Sequence, residues 1–250
     1  MPSSRSRKQS AESTREHRLT PVAENYLIAI YNLREQGKRA SLTQLAEELR
    51  HMPVSEGLGT SLPSVAAMIR RMASDGLLEM TPNKEVKLAA DGEGMAKSMV
   101  RRHRIAERML TDLLGLELHK AHVEAHRLEH AISAEVEAKI VERLGNPTTC
   151  PFGHPIPGSS YVAPAQKPLT LDKAKPGHEY VVDGIPEEDQ KLLEYLVNSG
   201  FLPGTAFSVK EAAPFKGVIT LQISGNTVVV GYQVASRVWV LEKEKKGSAK

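Results

Sequence analysis

The amino-acid sequence predicts a mainly α-helical N-terminal part followed by a C-terminal part built from β-strands. Apolar residues recur at helical spacing through residues 21–75. Five of the nine histidines fall between His103 and His130, where their spacing also suits helices. Short strand-like segments begin after Leu169. A chain of 250 residues is long enough for two domains, with room for a small third.

Composition narrows the classes of protein to which the chain can belong. The sequence has no run of about 18 apolar residues, so we expect no membrane-spanning helix. A single cysteine, Cys150, allows no internal disulfide and fits a cytoplasmic location. The net charge of +3 permits nucleic-acid binding without requiring it. Residues 1–18 lack the apolar segment of a secretory signal, and we interpret them as a disordered basic tail, with residues 244–250 as a second tail.

Helical periodicity and end signals define the first three elements. The predicted helices cover residues 21–36, 41–50 and 61–75. Gly37 ends the first helix, and Ser41 begins the second with Gln44 three residues later, which is a capping-box pattern. Residues 51–60 between the second and third helices carry one proline and two glycines, so we expect a loop there.

A two-stranded hairpin is predicted after the third helix. Apolar and polar residues alternate on both sides of a turn at residues 82–84. Three helices followed by a hairpin form a winged helix-turn-helix domain, which we assign to residues 19–91. In such a domain the third helix enters the major groove of double-stranded DNA. Because many winged helices bind proteins instead, a protein-binding scaffold remains an alternative.

Two longer helices are predicted to form a helical domain at residues 92–147. They cover residues 92–114 and 119–144, and glycines end both of them. Leucines and isoleucines on the two helices can pack against each other. Further apolar residues remain for a homodimer interface, and these include Met99, Val100, Met109 and Ala131.

Imidazole and carboxylate side chains line these two helices at a spacing that suits a divalent metal ion. Three histidines on the second helix recur every four residues and so share one face, with a glutamate before the third. These residues are His122, His126, Glu129 and His130. The first helix repeats the pairing four residues apart, with His103 and Glu107. Such groups are the ligands that transition metals prefer, although a solvated polar face is the alternative.

The remainder of the chain is predicted to be a linker and a small β domain. Residues 148–168 are rich in proline and glycine, and we interpret them as a linker with turns, not as a packed element. Residues 169–243 contain a short helix at 187–199 among five strands, which predicts an SH3-like barrel. The strands are expected at 178–182, 205–211, 217–223, 226–231 and 237–242.

Several motifs occur in an order typical of one protein family. They are AENYLIAIY in the first helix, MVRRHRIAERMLTDLLGL and HVEAHRLEHAIS in the helical domain, and PFGHPIPG in the linker. Across about residues 19–243 the chain resembles the diphtheria toxin repressor family of metal-dependent transcriptional regulators, which includes iron-dependent regulators and manganese transport regulators. The β domain resembles the ferrous-iron transport protein A type, notably in GFLPGTAFSV.

The resemblance implies two metal sites. The primary site of the family corresponds to Asn25, His126, Glu129 and His130. The ancillary site corresponds to His103, Glu107 and His122, joined by Glu187 and Gln190 from the β domain. In manganese-type members the counterpart of His103 belongs to the main cluster. His126 stands where the family has Cys or Glu, and Asn25 where it has Met or Asp, so the chain departs from the family pattern at both positions.

The resemblance also implies a function and a DNA-binding surface. It implies a homodimeric repressor that is activated by Fe²⁺ or Mn²⁺ and binds palindromic operators of metal homeostasis genes, while Zn²⁺, Co²⁺ or Ni²⁺ can bind in vitro. The family's DNA contacts correspond to Ser61, Pro63 and Ser64, with Arg70 and Arg71 further along the same helix. The alternatives are a metal-independent winged-helix regulator or scaffold and, less favoured because no HExxH motif occurs, a metallohydrolase.

Overall fold

A computed structural model describes residues 19–53 and 56–243 of the chain. The two predicted tails, residues 1–18 and 244–250, lie outside the described residues, as do residues 54–55 of the predicted loop. Among the described helices, none combines the length and the apolar character needed to cross a membrane.

The N-terminal domain has the three helices and the hairpin that the sequence predicts. Helix α1 spans Pro21–Glu35, α2 spans Leu42–His51, α3 spans Leu62–Ser74, and strand β1 (Leu78–Met80) pairs antiparallel with β2 (Val86–Leu88). Each helix begins at a hydroxyl side chain, of Thr20, Ser41 or Ser61, that accepts a hydrogen bond from a backbone N–H three residues later. The apolar faces meet in one buried core, which confirms the winged helix-turn-helix prediction.

The contact between the hairpin and helix α4 (Ala90–Arg108) requires a glycine. A Cβ atom on Gly92 would lie 2.0 Å from the backbone oxygen of Leu77, far closer than such atoms can approach. The backbone N–H of Ala89 donates to the same oxygen at 2.9 Å. The wing is therefore fixed against the start of α4, the helix that leads into the next part of the molecule.

Helix α4 covers the predicted helix 92–114 and ends in a π-helical turn at Met109–Leu113. Met99 and Val100, predicted for a dimer surface, are 1% exposed. That part of the prediction is wrong because this face of α4 packs against α1 in the same chain. Large apolar side chains that do remain exposed in this region are Leu113, Leu114 and Val136.

The predicted single helix 119–144 is wrong, because the structure divides it into two. Helix α5 spans Leu118–Glu129 and α6 spans Ala134–Arg143. The division arises at Ser133, whose side chain accepts a hydrogen bond from the backbone N–H of Val136 and so begins a new helix. His130 consequently stands at the C-terminal end of α5 and not within a continuous helix.

The first part of the predicted linker 148–168 is packed, which corrects the prediction of an unpacked segment. Cys150, Phe152 and Ile156 are at most 2% exposed and belong to the same buried core as the C-terminal domain. Two arginines of α4, Arg104 and Arg108, donate hydrogen bonds to backbone carbonyl groups of this segment. The arginines therefore satisfy carbonyls that the irregular, proline-rich backbone leaves free, and the segment packs without becoming a helix or a strand.

The C-terminal domain is a six-stranded antiparallel sheet with the order β3-β8-β4-β5-β6-β7. The strands are β3 (Leu169–Thr170), β4 (Glu179–Gly184), β5 (Ala206–Ala213), β6 (Val218–Ile223), β7 (Asn226–Gly231) and β8 (Trp239–Glu242), and the helices are α7 (Gln190–Asn198) and α8 (Tyr232–Ala235). The five predicted strands and the predicted helix are confirmed. Within residues 169–243 the sheet stays open instead of closing into the predicted barrel, since β3 has only two residues and does not reach the opposite edge at β7.

Candidate metal centre

Three parts of the chain bring polar side chains to one buried location. Helix α1 contributes from the N-terminal domain, α4 and α5 from the helical region, and the segment before α7 from the C-terminal domain. Seven of the residues predicted to bind metal are at most 6% exposed: Asn25, His103, Glu107, His122, His126, Glu129 and Glu187. Charged and polar groups are rarely buried at this level unless they are paired or hold a metal ion.

One group of donor atoms corresponds to the predicted ancillary site. One donor atom from each of His103, Glu107, His122 and Glu187 lies within 4.8 Å of the others. The Oε1 atom of Glu107 is 2.9 Å from His103 Nε2 and 3.0 Å from His122 Nδ1. The structure does not bring Gln190 to this group: its side chain is exposed at the start of α7 and makes no hydrogen bond within the described residues.

A second group corresponds to the predicted primary site, and His103 joins it to the first. The Nδ1 atom of His103 is 2.6 Å from Glu129 Oε2, while its other ring nitrogen faces Glu107. His126 Nδ1 lies 3.2 Å from Glu129 Oε1, and the rings of His103 and His126 are 4.4 Å apart. The two groups are therefore neighbouring parts of one continuous cluster.

The outer end of the cluster contains two carboxylates that the sequence analysis did not single out. Glu24 Oε2 lies 2.6 Å from His130 Nδ1, and Glu56 Oε2 lies 3.5 Å from His130 Nε2. Asn25 Nδ2 donates to Glu56 Oε2 at 3.1 Å. Glu24 could have been found, since it precedes Asn25 within the AENY motif. Glu56 belongs to the predicted loop 51–60, and the position of a loop side chain cannot be predicted from hydrophobic periodicity.

Three side chains of the cluster have strongly shifted pKa values. Burial alone would raise the pKa of Glu129, but His126 and His103 lower it to about 2, so this carboxylate is charged. Burial and the nearby charge of Glu107 raise the pKa of Glu187 to about 8. Burial lowers the pKa of His126 to about 4, which keeps its imidazole neutral and able to bind a metal ion.

Unpaired polar atoms in the cluster test whether a metal ion would fit. Asn25 Oδ1, Glu107 Oε2 and His130 Nε2 are buried and have no hydrogen-bond partner among the described residues. Leaving such an atom unpaired costs about 1 to 3 kcal/mol. Oxygen and imidazole nitrogen donors are the ligands that Mn²⁺ and Fe²⁺ accept, so the residues present fit a divalent ion of this kind.

The residues predicted to contact DNA lie on the open side of helix α3. Ser61, Pro63, Ser64, Arg70 and Arg71 all have exposed side chains. Ser61 Oγ accepts from the backbone N–H of Ser64 and lies 2.8 Å from its hydroxyl, so both serines are held at the first turn of the helix. This surface of α3 is available to a partner.

Comparison with known families gives matches along almost the whole described chain. The model of the iron dependent repressor, N-terminal DNA binding domain, matches residues 18–86. The model of the iron dependent repressor, metal binding and dimerisation domain, matches residues 89–158, and the FeoA domain model matches residues 169–242. The second match includes Cys150, Phe152 and Ile156, in keeping with the packing of this segment.

Individual proteins give the same result. Iron-dependent repressor IdeR of Mycobacterium leprae is 33% identical over 234 residues, which cover 89% of this chain and 97% of the relative. The diphtheria toxin repressor of Corynebacterium efficiens is 41% identical over 140 residues, covering 56% of this chain and 57% of the relative. A solved manganese-dependent transcriptional repressor, in complex with manganese, is 31% identical with a TM-score of 0.78, covering 89% of this chain and 100% of that one. The chain therefore belongs to the iron-dependent repressor family of transcriptional regulators.

Proposed function

We propose that the protein is a homodimeric transcriptional repressor of the cytoplasm that binds palindromic operators of metal homeostasis genes when it holds Fe²⁺ or Mn²⁺. One observation carries this proposal: side chains of the N-terminal domain and of the helical region meet in a single buried cluster of metal-binding groups. The named activities of the relatives, an iron-dependent repressor and a manganese-dependent transcriptional repressor, support the same function.

Two groups of side chains would hold the metal. The primary group is Asn25, His126, Glu129 and His130, and the ancillary group is His103, Glu107, His122 and Glu187. A bound divalent cation supplies positive charge to the buried carboxylates and a common partner for their unpaired atoms. Such donors suit Mn²⁺ or Fe²⁺, although Zn²⁺, Co²⁺ and Ni²⁺ bind more tightly in vitro. We leave Gln190 out of this set because its side chain is exposed.

Residues of α1 connect metal binding to DNA binding. Glu24 and Asn25 lie on the helix that shares a core with α3, whereas His130 ends α5 of the helical region. When these side chains are held together, α1 has a fixed position relative to α5, and so does α3. Metal must bind this arrangement more tightly than others, and DNA must then raise metal affinity by the same factor.

The dimer and the exposed face of α3 define the operator contacts. Two copies of α3 in a homodimer reach two half-sites about one helical turn of DNA apart. Ser61 and Ser64 can contact bases or phosphates at the start of the helix, while Arg70 and Arg71 reach phosphates. A hydrolytic role of the cluster is less favoured, since His103, Glu107 and His122 are at most 6% exposed and a substrate cannot approach them.

DNA binding with and without metal tests the proposal. An operator is first enriched from a random duplex library with the Mn²⁺-loaded protein, and its affinity is then measured by fluorescence anisotropy. We expect at least about tenfold tighter binding with Mn²⁺, or with Fe²⁺ under anaerobic conditions, than with chelator. His130→Ala should lose most of this gain, whereas His119→Ala, which removes a histidine of α5 outside the cluster, should keep it. Equal affinity with and without chelator would support a metal-independent regulator instead.

A further inference from the structure

Glu56 lies in the connection between α2 and α3, yet its carboxylate reaches the outer end of the metal cluster. Its Oε2 atom is 3.1 Å from Asn25 Nδ2 and 3.5 Å from His130 Nε2, and its side chain is 10% exposed. We propose that Glu56 is a direct ligand of the primary metal site, and that it makes metal binding set the position of helix α3. The inference rests on the proposed function, because it adds a ligand to that same site.

The polar atoms next to Glu56 are not all paired by hydrogen bonds, as is expected of atoms that bind a metal ion. Asn25 is 0% exposed, and its Oδ1 has no hydrogen-bond partner among the described residues. His130 Nε2 is likewise buried without a hydrogen bond within the described part of the chain. A closed network would give each of these atoms a hydrogen-bond donor. Instead the side chains of Asn25 and His130 both meet the carboxylate of Glu56, at 3.1 Å and 3.5 Å, and come from α1, α5 and the connection.

Glu24 orients His130 so that the correct ring nitrogen faces Glu56. The Oε2 atom of Glu24 is 2.6 Å from His130 Nδ1, so that nitrogen carries the proton and donates to the carboxylate. The other nitrogen, Nε2, is then the one that a metal ion would bind, and it lies 3.5 Å from Glu56 and 3.4 Å from Glu129. A carboxylate that holds the remote nitrogen of a histidine is a common support of metal ligands. Glu24 is thus a positioning residue, whereas Glu56 faces the metal-binding nitrogen.

Glu56 also supplies a charge that Asn25 lacks. The amide of Asn25 is neutral and binds a divalent cation more weakly than a carboxylate does. The Oε2 atom of Glu129 is already engaged by His103 at 2.6 Å. On the α1 side, the carboxylate of Glu24 is engaged by His130 Nδ1 at 2.6 Å. Glu56 therefore adds a second negative charge there, next to the neutral amide of Asn25.

The same connection leads directly into the first turn of α3. The hydroxyl of Tyr26 donates to the backbone oxygen of Gly59 at 3.4 Å, so α1 holds this segment. A Cβ atom on Gly59 would lie 2.8 Å from the Cβ of Ser64, which shows how tightly the segment packs on α3. We therefore expect a change in the position of Glu56 to change the position of Ser61 and Ser64, the exposed serines at the start of α3.

Direct metal titration of the full-length protein tests whether Glu56 is a ligand. Glu56→Gln keeps the size of the side chain and removes its charge, and we expect the Mn²⁺ affinity of the primary site, measured by calorimetry, to fall at least about tenfold. The absorption bands of bound Co²⁺ should change in the same variant, since they report the ligand set. Glu47→Gln, which removes an exposed carboxylate of α2, is the matched control and should bind both ions like the wild type.

A second variant separates a ligand from a merely structural residue. The double variant Asn25→Asp, Glu56→Gln returns a carboxylate to the same end of the site, and we expect it to regain most of the lost Mn²⁺ affinity. Glu56→Gln should also show a smaller gain in DNA affinity at saturating Mn²⁺, because the connection is no longer held. Thermal melting in chelator checks that each variant is folded.

The outcomes distinguish the inference from the proposed function. A wild-type protein that binds no Mn²⁺ overturns both. If the wild type binds Mn²⁺ and Glu56→Gln binds it equally well, Glu56 is not a ligand, and the proposed function stands. If the variant binds weakly but the double variant shows no recovery, Glu56 has only a structural role, and the inference is overturned.

Discussion

At the scale of single residues, His103 has the most central position in the cluster. One ring nitrogen lies 2.9 Å from Glu107 and the other 2.6 Å from Glu129, so the two groups of proposed ligands meet at one imidazole. Burial favours its neutral form, but the two carboxylates outweigh burial and raise the pKa of His103 well above its usual value. Substitution of a residue that contacts both groups of side chains should therefore change metal binding at both.

This position predicts different results for two histidine variants. We expect His103→Gln to weaken Mn²⁺ binding at both sites, because each loses a donor or the group that orients it, by at least about tenfold. His122→Gln should weaken the ancillary site more than the primary site, since His122 Nδ1 lies 3.0 Å from Glu107 and 4.0 Å from Glu187. It meets the primary group only through the ring of His126, with 4.7 Å between the ring centroids. Calorimetric titration distinguishes the two sites, with His119→Gln as the control. If His103→Gln keeps one site at wild-type affinity, the bridging role is wrong.

At the scale of elements, helix α2 faces the C-terminal domain across a cleft of about 590 Å³. Glu188 on the far side accepts hydrogen bonds from Gln36 at 3.2 Å and from Arg237 at 3.3 Å. Burial raises the pKa of Glu48 on α2 to about 7, and the charge of Glu188 adds to this effect. The contact between α2 and the C-terminal domain therefore disfavours the charged form of Glu48.

The raised pKa of Glu48 predicts a pH-dependent gain for Glu48→Gln. Folding stability from the protonated carboxyl is fully present below pH 4.5, the ordinary pKa, and is lost as pH rises through about 7. The glutamine variant avoids this loss, so at about pH 8 its free energy of unfolding should exceed that of the wild type by about 1 to 2 kcal/mol. Each unit of pKa difference corresponds to about 1.4 kcal/mol, and the total is reduced because the side chain is partly exposed.

Urea unfolding in chelator, followed at several pH values, measures this difference. Glu47→Gln on the exposed side of α2 should stay close to the wild type throughout. An equal stability difference for Glu48→Gln at low and at high pH would contradict the assignment, because only a titrating group gives a difference that grows with pH.

At the scale of the whole molecule, the cluster joins all three parts of the chain. Asn25 comes from the N-terminal domain, His103 and His122 from the helical region, and Glu187 from the C-terminal domain. Arg104 adds a further link, since its buried guanidinium contacts Glu35 of α1 and the packed segment after α6. A ligand that binds here must stabilise the arrangement of the whole chain and not of one domain.

Metal removal should therefore lower the melting temperature of the entire protein. Mn²⁺ at about one hundred times its Kd stabilises the folded state by about 2.7 kcal/mol. In a chain of this size each kcal/mol shifts Tm by about 2 to 4 °C, so chelation should lower Tm by about 5 to 10 °C. Differential scanning calorimetry measures the shift, and His103→Gln should show little of it. If chelation lowers the melting temperature of one domain while that of another domain is unchanged, the metal centre is not shared by all three parts of the chain.

The sequence predicted well what depends on local spacing. His103 and Glu107, like His122 and His126, are four residues apart, and a helix places such pairs on one face whatever surrounds it. The helix break at Ser133 was missed because apolar residues continue at helical spacing across it, while a single capping serine is a weaker signal.

Features that depend on contacts between distant parts of the chain could not be predicted from local sequence patterns. The segment at Cys150 packs because Arg108, 42 positions earlier, satisfies carbonyl groups of this segment. The position of Glu56 depends on how the connection before α3 folds onto α1, which no periodicity encodes. The open sheet follows from a two-residue edge strand that is too short to be recognised in the sequence.

The burial of Cys150 has a practical consequence for labelling experiments. It is the only cysteine of the chain, it is 0% exposed, and burial raises the pKa of its thiol well above the usual value. Alkylating reagents attack the exposed thiolate, so the native protein should react with them very slowly. A cysteine added at an exposed position, for example Ser74→Cys at the end of α3, would then carry a fluorophore alone. Distances between the two α3 helices of a dimer could be followed in this way without removing the native thiol.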